Sequence, residues 1–285
     1  MTMPSSNQVE KVVIVGGGTS GWLTALSLQT YLSKHSSYPL DITLIEMKAQ
    51  GGGLGVGEAS ILSLPRTLRD LGLSEREYMQ ECRMTFKFGL HFKNWNSLSS
   101  RDSYWHMFHD FPQMGNLPLP HYWLKKNDLI PKSKFEECQL TTSCCHHFLS
   151  AKVWNEQRFN YADNAYQGIQ EGGGYAYHYD SIRLSRYLEK KATARGVTYQ
   201  IGKVKSATFH ENGFIKSLLL EDGKEFLGDL FIDCSGFKGL LINQMLETPF
   251  VSYSDSLLCN AAVSVQVSHQ NEFSPKLPPY TSCKQ

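Results

Sequence analysis

Apolar positions near the start of the chain follow two patterns in immediate succession. Val12, Val13, Ile14 and Val15 form an unbroken β-branched run, which predicts a strand buried on both faces. Three glycines, Gly16 to Gly18, interrupt it. Trp22, Leu23, Ala25, Leu26 and Leu28 then recur at helical spacing, so the segment reads strand, tight turn, helix. A second strand is expected over Asp41 to Ile45, ending at Glu46. Residues 60 to 80 read as two short helices, with Pro65 early in the first and Ser74-Glu-Arg-Glu77 resembling a capping box at the second. Thr85 to Trp95 alternates strictly, which predicts one strand. Phe86, Phe88, Leu90 and Phe92 take its core face; Lys87, Gly89, His91 and Lys93 take the other.

Periodicity fades from 96 to 174, where aromatic and histidine residues cluster, as in Tyr104 to His109 and Pro118 to Trp123. Such irregular sequence suits an insertion that shapes a substrate site. Regular structure returns at Tyr175 to Asp180. A helix is expected from Ser181 to about Ala194, closed by Gly196. Strands follow at 197–201, 203–210 and 215–221, the last two joined by the Asn212-Gly213 turn. Asp229 to Phe237 reads as a buried strand ending in a small-residue turn, Leu240 to Leu246 as a helical piece, and Asn260 to Val267 as a further strand.

Composition narrows the function classes. At 285 residues the chain holds one large or two small domains, and 41% apolar with 19% charged residues is ordinary for a globular protein. A formal charge of +1 argues neither for nucleic acid nor for an anionic membrane. No apolar run is long enough to span a bilayer, and Met1 to Glu10 lack the apolar core of a signal peptide. Seven irregularly spaced cysteines point to a reducing, cytoplasmic compartment.

Candidate chemistry begins at the first turn. Gly16, Gly18 and Gly21 have the G-x-G-x-x-G spacing between a strand and a helix. Gly16 would let the chain reverse, Gly18 would let backbone approach a pyrophosphate, and Gly21 would let helix and strand pack closely. The N–H groups of the helix start would hold the phosphates, and Glu46 would accept from a ribose hydroxyl. Five glycines among residues 51 to 57 make a loop where backbone comes close to something, the same nucleotide by its position. Cys138, Cys144, Cys145, His146 and His147 match no tetrahedral metal spacing and read as buried thiols and helix-face histidines. By pattern alone, Lys87 is a structural, solvated lysine. Glu171-Gly-Gly-Gly174 has no strand before it, so no second dinucleotide site is expected.

Several segments together resemble the FAD-dependent halogenases of the tryptophan halogenase type. They are Gly16-Gly-Gly-Thr-Ser-Gly-Trp22, Gly53-Leu-Gly-Val-Gly-Glu-Ala-Ser60, Leu71 to Met79, the Phe86-Lys87 strand, Pro120-His-Tyr-Trp123 and Asp229 to Ile242. The resemblance implies an α/β fold: a Rossmann-like FAD-binding domain of the glutathione-reductase/aromatic-hydroxylase type, with mixed sheets and an aromatic-rich insertion. It implies FAD contacts at Gly16, Gly17, Gly18, Thr19, Ser20, Gly21, Glu46, Val56, Ala59 and Val204. It makes Lys87 the essential lysine and places His106 and Phe108 beside the aromatic substrate. FADH2 would come from a separate flavin reductase. With oxygen and halide as co-substrates, the hypohalous acid formed would be guided to Lys87 to halogenate tryptophan, an indole or another electron-rich aromatic. Neither nucleic acid nor a membrane is an expected partner. A monooxygenase of the wider family with Lys87 structural, or a non-catalytic FAD-binding remnant, are the alternative readings.

The resemblance also sets an expectation about extent. The family's Trp-x-Trp-x-Ile-Pro motif, the glutamate that works with the lysine and the halide-binding turn have no counterpart in this sequence. The chain therefore reads as an N-terminal portion, expected by itself to bind FAD weakly and not to halogenate. Its parts are expected to be 8–95 with 175–248 for FAD binding, 96–174 as the insertion, and 249–285 as the beginning of a substrate-binding part.

Overall fold

The computed structural model describes residues 9–32, 40–47, 59–95, 103–108, 113–118, 121–122, 125, 174–263, 265 and 280–284. In chain order the strands and helices are β1 (Lys11–Val15), α1 (Thr19–Leu32), β2 (Asp41–Glu46), α2 (Ser63–Asp70), α3 (Glu75–Glu81), β3 (Thr85–Lys87), β4 (Gly89–Lys93) and β5 (Ser103–Met107). They continue with β6 (Gln113–Met114), β7 (Leu117–Pro118), β8 (Ala176–His178), α4 (Ser181–Ala194), β9 (Thr198–Ile201), β10 (Val204–Phe209), β11 (Ile215–Leu220), β12 (Glu225–Leu227), β13 (Leu230–Asp233) and β14 (Thr281–Lys284). The chain divides into two compact units, residues 1–56 with 181–266 and residues 57–180 with 267–285.

The first unit is built on a parallel sheet in the order β13-β1-β2-β9. A parallel sheet must be covered on both faces, which is why β1 has no polar position after Lys11. Leu44 faces the helix side, within ordinary contact of the Gly21 position on α1. On the other face Val13, Val15 and Ile45 pack with Val204, Leu218, Leu220 and Leu241 beneath the antiparallel sheet β10-β11-β12. Each of these buried side chains contributes about 1.5–3 kcal/mol relative to exposure. Helices α1 and α4 pack against one another.

Three expectations change here. The Asp229–Phe237 segment is not fully buried: Leu230 is 41% exposed because β13 is the edge of its sheet. Its acidic residues act as local ties instead. The Asp229 carboxylate accepts from the backbone of Glu10 and Lys11, and Asp233 accepts from the backbone of Ser235, Leu241 and Ile242. The piece after it is a π-helical turn, Leu240–Met245. The strand expected over 260–267 is absent at 260–263 and 265, which are irregular. An apolar run becomes a strand only with a pairing neighbour, and among the described residues it has none.

The second unit holds three small sheets, β14-β4-β5, β3-β8 and β6-β7, and a core that includes Leu68, Leu71, Tyr78, Met79, Met84, Phe86 and Phe88. The single strand expected over 85–95 is two strands in two sheets. Strand β3 pairs antiparallel with β8, whereas β4 lies between β5 and a parallel β14. The switch comes at Phe88, whose carbonyl accepts from Phe108 N at 2.9 Å. A Cβ on Gly89 would sit 2.5 Å from the His106 carbonyl oxygen, so the close crossing there admits only glycine. Strand β5 lies inside the stretch whose periodicity had faded. Ser74 does precede α3, but its side chain makes no cap hydrogen bond. The described residues contain no helix long and apolar enough to cross a membrane.

Candidate functional site

In the first unit, the glycine turn is shaped by contacts that explain each glycine separately. Gly16 has φ +118°, and a Cβ there would lie 2.2 Å from the carbonyl oxygen of Cys234, at the end of β13. A Cβ on Gly21 would lie 1.8 Å from the Gly16 carbonyl oxygen. Gly18 is different: its Cβ position meets nothing within 4 Å among the described residues. Two of the glycines thus serve internal packing, and the third leaves open space beside the start of α1. The first turn of α1 has no acidic residue, and its N–H groups and dipole are disposed to hold an anion. Thr19 and Ser20 lie in that turn. Their hydroxyls donate to the Ser181 carbonyl at 3.4 Å and to Cys234 Sγ at 3.7 Å.

Helix α4 holds the turn from the side. Ser185 Oγ donates to the Gly17 carbonyl oxygen at 2.9 Å. A Cβ on Gly17 would lie 2.2 Å from Glu46 Cδ, so the carboxylate that ends β2 rests against the turn. Tyr199 on β9 donates its phenol to Glu46 Oε2 at 2.6 Å. Trp22 packs edge-on against the Tyr199 ring, 5.1 Å between centroids. Burial raises the Tyr199 phenol above its ordinary range, and its bond to Glu46 adds to that. An anionic group in the open space and a hydroxyl beside Glu46 therefore both find partners. The Val204 side chain is part of the core, and its residue pairs with Leu220 in the β10–β11 register. Val56 lies outside the described residues, as do Cys138, Cys144, Cys145, His146 and His147. Among the described residues no cluster of three or more His, Cys, Asp or Glu side chains is placed to hold a metal.

In the second unit Lys87 is buried, with 3% of its surface exposed; the open lysine that its alternation suggests is not what forms. Strand β8 covers it on one side, Lys87 lying opposite Ala176. Beyond β8 runs the Ala59-Ser60 segment, which pairs through an Ala59–His178 bridge and a Ser60 N to Tyr177 O bond of 2.8 Å. Lys87 Nζ donates to the Ser60 carbonyl oxygen at 3.2 Å. Ser60 Oγ accepts from Tyr177 N at 2.9 Å, which fixes that carbonyl. The amine also lies 5.3 Å from the centroid of the Phe108 ring. Burial holds its pKa below the ordinary lysine range, so a larger share of neutral amine is present at neutral pH. No carboxylate pairs with it among the described residues.

Two further groups went unnoticed in the sequence. His178 Nε2 lies 3.1 Å from Thr281 Oγ1. Burial first, then the Lys87 charge, pushes His178 down to about 4. On the opposite face of β8, Tyr175 and Tyr177 both donate to the Glu75 carboxylate, and the hydroxyls of Tyr177 and Tyr78 lie 2.9 Å apart. Burial raises the Glu75 pKa against the opposing effect of those bonds. The alternation of Tyr175-Ala-Tyr-His178 was the available signal, since it sends Tyr175 and Tyr177 one way and His178 the other. His106 is exposed on β5 and meets Phe108 edge to face, 6.1 Å between ring centroids.

A family described as tryptophan halogenase matches residues 11–284. The tryptophan 6-halogenase ThaL of Streptomyces albogriseolus is 33% identical over 290 residues, covering 97% of this chain and 51% of ThaL. The tryptophan 7-halogenase RebH of Lentzea aerocolonigenes is also 33% identical, covering 97% and 52% respectively. The crystal structure of the tryptophan 6-halogenase SttH of Streptomyces toxytricini superposes with TM-score 0.74 at 31% identity, over 97% of this chain and 53% of SttH. The chain spans about half the length of the curated relatives it matches.

Proposed function

The chain belongs to the tryptophan halogenase family, and on that premise we propose that it carries the cofactor-holding and lysine-bearing parts of a flavin-dependent halogenase acting on an electron-rich aromatic such as tryptophan or another indole. FAD is the group whose binding this reading requires, and the residues present fit it. Gly16, Gly17, Gly18, Thr19, Ser20 and Gly21 would hold the pyrophosphate through backbone N–H groups and the open approach at Gly18. Glu46 would take the ribose, and Val56, Ala59 and the Val204 backbone would make further contacts. When bound in its reduced form, delivered by a separate flavin reductase, the flavin would supply the two electrons that bring oxygen to the level at which it oxidises halide to hypohalous acid, with water as the other product.

The observation that carries the catalytic part is Lys87, a buried amine whose one described hydrogen bond goes to a backbone carbonyl. Such an amine is held in one place, and with a depressed pKa it serves either as a donor to the hypohalous oxygen or as a nucleophile toward its halogen. In the productive step the halogen–oxygen bond breaks and a carbon–halogen bond forms. The aromatic carbon loses its proton and water leaves. The Phe108 ring beside Nζ, with His106 next to it, supplies an aromatic wall for the substrate.

The test is Lys87→Met in the protein that contains this sequence, assayed with a flavin reductase, oxygen, halide and tryptophan or indole. The variant should keep its flavin and its cooperative unfolding while halogenated product falls about a hundredfold or more. Undiminished halogenation would refute the role of Lys87. A hydroxylated product independent of halide would instead mark a monooxygenase, and flavin binding without turnover a binding module.

A further inference from the structure

We infer that Tyr199 is a positioning residue for ribose recognition, orienting the Glu46 carboxylate so that one oxygen is left for the ribose diol of an adenine nucleotide. The inference rests on the nucleotide reading of the glycine turn proposed above. Glu46 is the last residue of β2, and a carboxylate at a strand end ordinarily samples several rotamers. Here two contacts remove that freedom. Gly17 presents no Cβ, and the carboxylate occupies the space one would fill, 2.2 Å from Cδ. The Tyr199 phenol donates to Oε2 at 2.6 Å, a charge-assisted bond that uses one oxygen. Among the described residues no hydrogen bond reaches Oε1.

The phenol is itself held. Tyr199 pairs with Leu44 in the β2–β9 register, two residues before Glu46 on the same face, so its ring runs along the strand toward the carboxylate. The fully buried Trp22, the residue that follows Gly21, packs edge-on against the Tyr199 ring. The first residue after the glycine fingerprint thus braces the tyrosine that orients the ribose acceptor. Ser185 holds the other partner, the Gly17 carbonyl, from α4. Turn and carboxylate are therefore set by two different tethers, and the two should fail differently.

The experiment measures dissociation constants of the chain for ADP and for 2′-deoxy-ADP, by calorimetry, in the parent protein, Tyr199→Phe and Ser185→Ala. A single charge-assisted hydrogen bond to the 2′-hydroxyl predicts that the parent prefers ADP by about tenfold. Tyr199→Phe should narrow the preference to about twofold with little change for the deoxy nucleotide. Ser185→Ala, which loosens the turn and not the carboxylate, should weaken both nucleotides alike and leave the ratio unchanged. A Tyr199→Phe protein with the parental ratio, or one that loses both nucleotides equally, would overturn the assignment. If the parent binds neither ADP nor FAD, the nucleotide reading of the turn itself falls.

Discussion

Gly21→Ala separates the tertiary account of the glycine turn from a purely local one. In a monomeric helix, alanine stabilises by about 1 kcal/mol relative to glycine. Gly21 lies inside α1, so local propensity alone predicts a more stable protein. The structure predicts the reverse. The new Cβ would sit 1.8 Å from the Gly16 carbonyl oxygen, about 1.5 Å short of ordinary carbon–oxygen contact. The obstacle is backbone, so no side-chain rotation relieves it. Either α1 moves off the sheet or the Gly16 turn shifts, and Gly16 is itself trapped between φ +118° and the Cys234 carbonyl. Overpacking of this kind costs about 1–3 kcal/mol and exceeds that where backbone meets backbone. With the helix gain subtracted, a net loss of about 2 kcal/mol is expected, which lowers the urea midpoint by about 1 M for a slope near 2 kcal/mol/M. Gly18→Ala is the control. Its Cβ meets nothing within 4 Å among the described residues, so stability should stay within about 0.5 kcal/mol of the parent while FAD or ADP binding weakens. A Gly21→Ala midpoint at or above the parental one would refute the reasoning, as would a Gly18→Ala variant equally destabilised.

Other outcomes follow from the buried titratable groups of the second unit. His178 is depressed to about 4 against an ordinary 6.5. Its contribution is therefore complete above 6.5 and lost as pH falls through about 4, to a total of about 3 kcal/mol. His178→Gln should flatten that acid limb in pH-dependent unfolding, and an unchanged limb would exclude the histidine as its source. Glu75 is raised by burial, so stability is full below the ordinary carboxylate range and declines as pH rises through the folded value. The midpoint of Glu75→Gln relative to the parent should accordingly increase between pH 4 and pH 7; a constant difference would contradict this. Ala176→Leu enlarges a fully buried side chain opposite Lys87. It should cost about 1–3 kcal/mol; a variant as stable as the parent would refute the crowding.

Periodicity by itself was enough to place the parallel core. Val12–Val15 had to be covered on both faces, α1 had to follow the glycines, and the helix at 181–194 and the hairpin about Asn212-Gly213 appear where their spacing and turn residues predict. The roles of Gly16 and Gly21 were also legible, because strand, turn and helix of fixed geometry leave those positions no room. Alternation failed at Phe88. It records which side chains share a face but not which strand will pair, so β3 and β4 looked continuous although they belong to different sheets. It failed again at Lys87, where a lysine between phenylalanines reads as solvated unless a third segment closes over it. Ser60 and Ala176 do that from 27 residues before and 89 residues after. Tyr199 and Ser185 likewise reach the glycine turn from far along the chain. Residue type and near-neighbour spacing set the elements, because steric and hydrogen-bonding preferences act within a few residues. Burial, pairing and the orientation of Lys87 and Glu46 arise from contacts between residues distant in sequence, and only the folded chain brings those together.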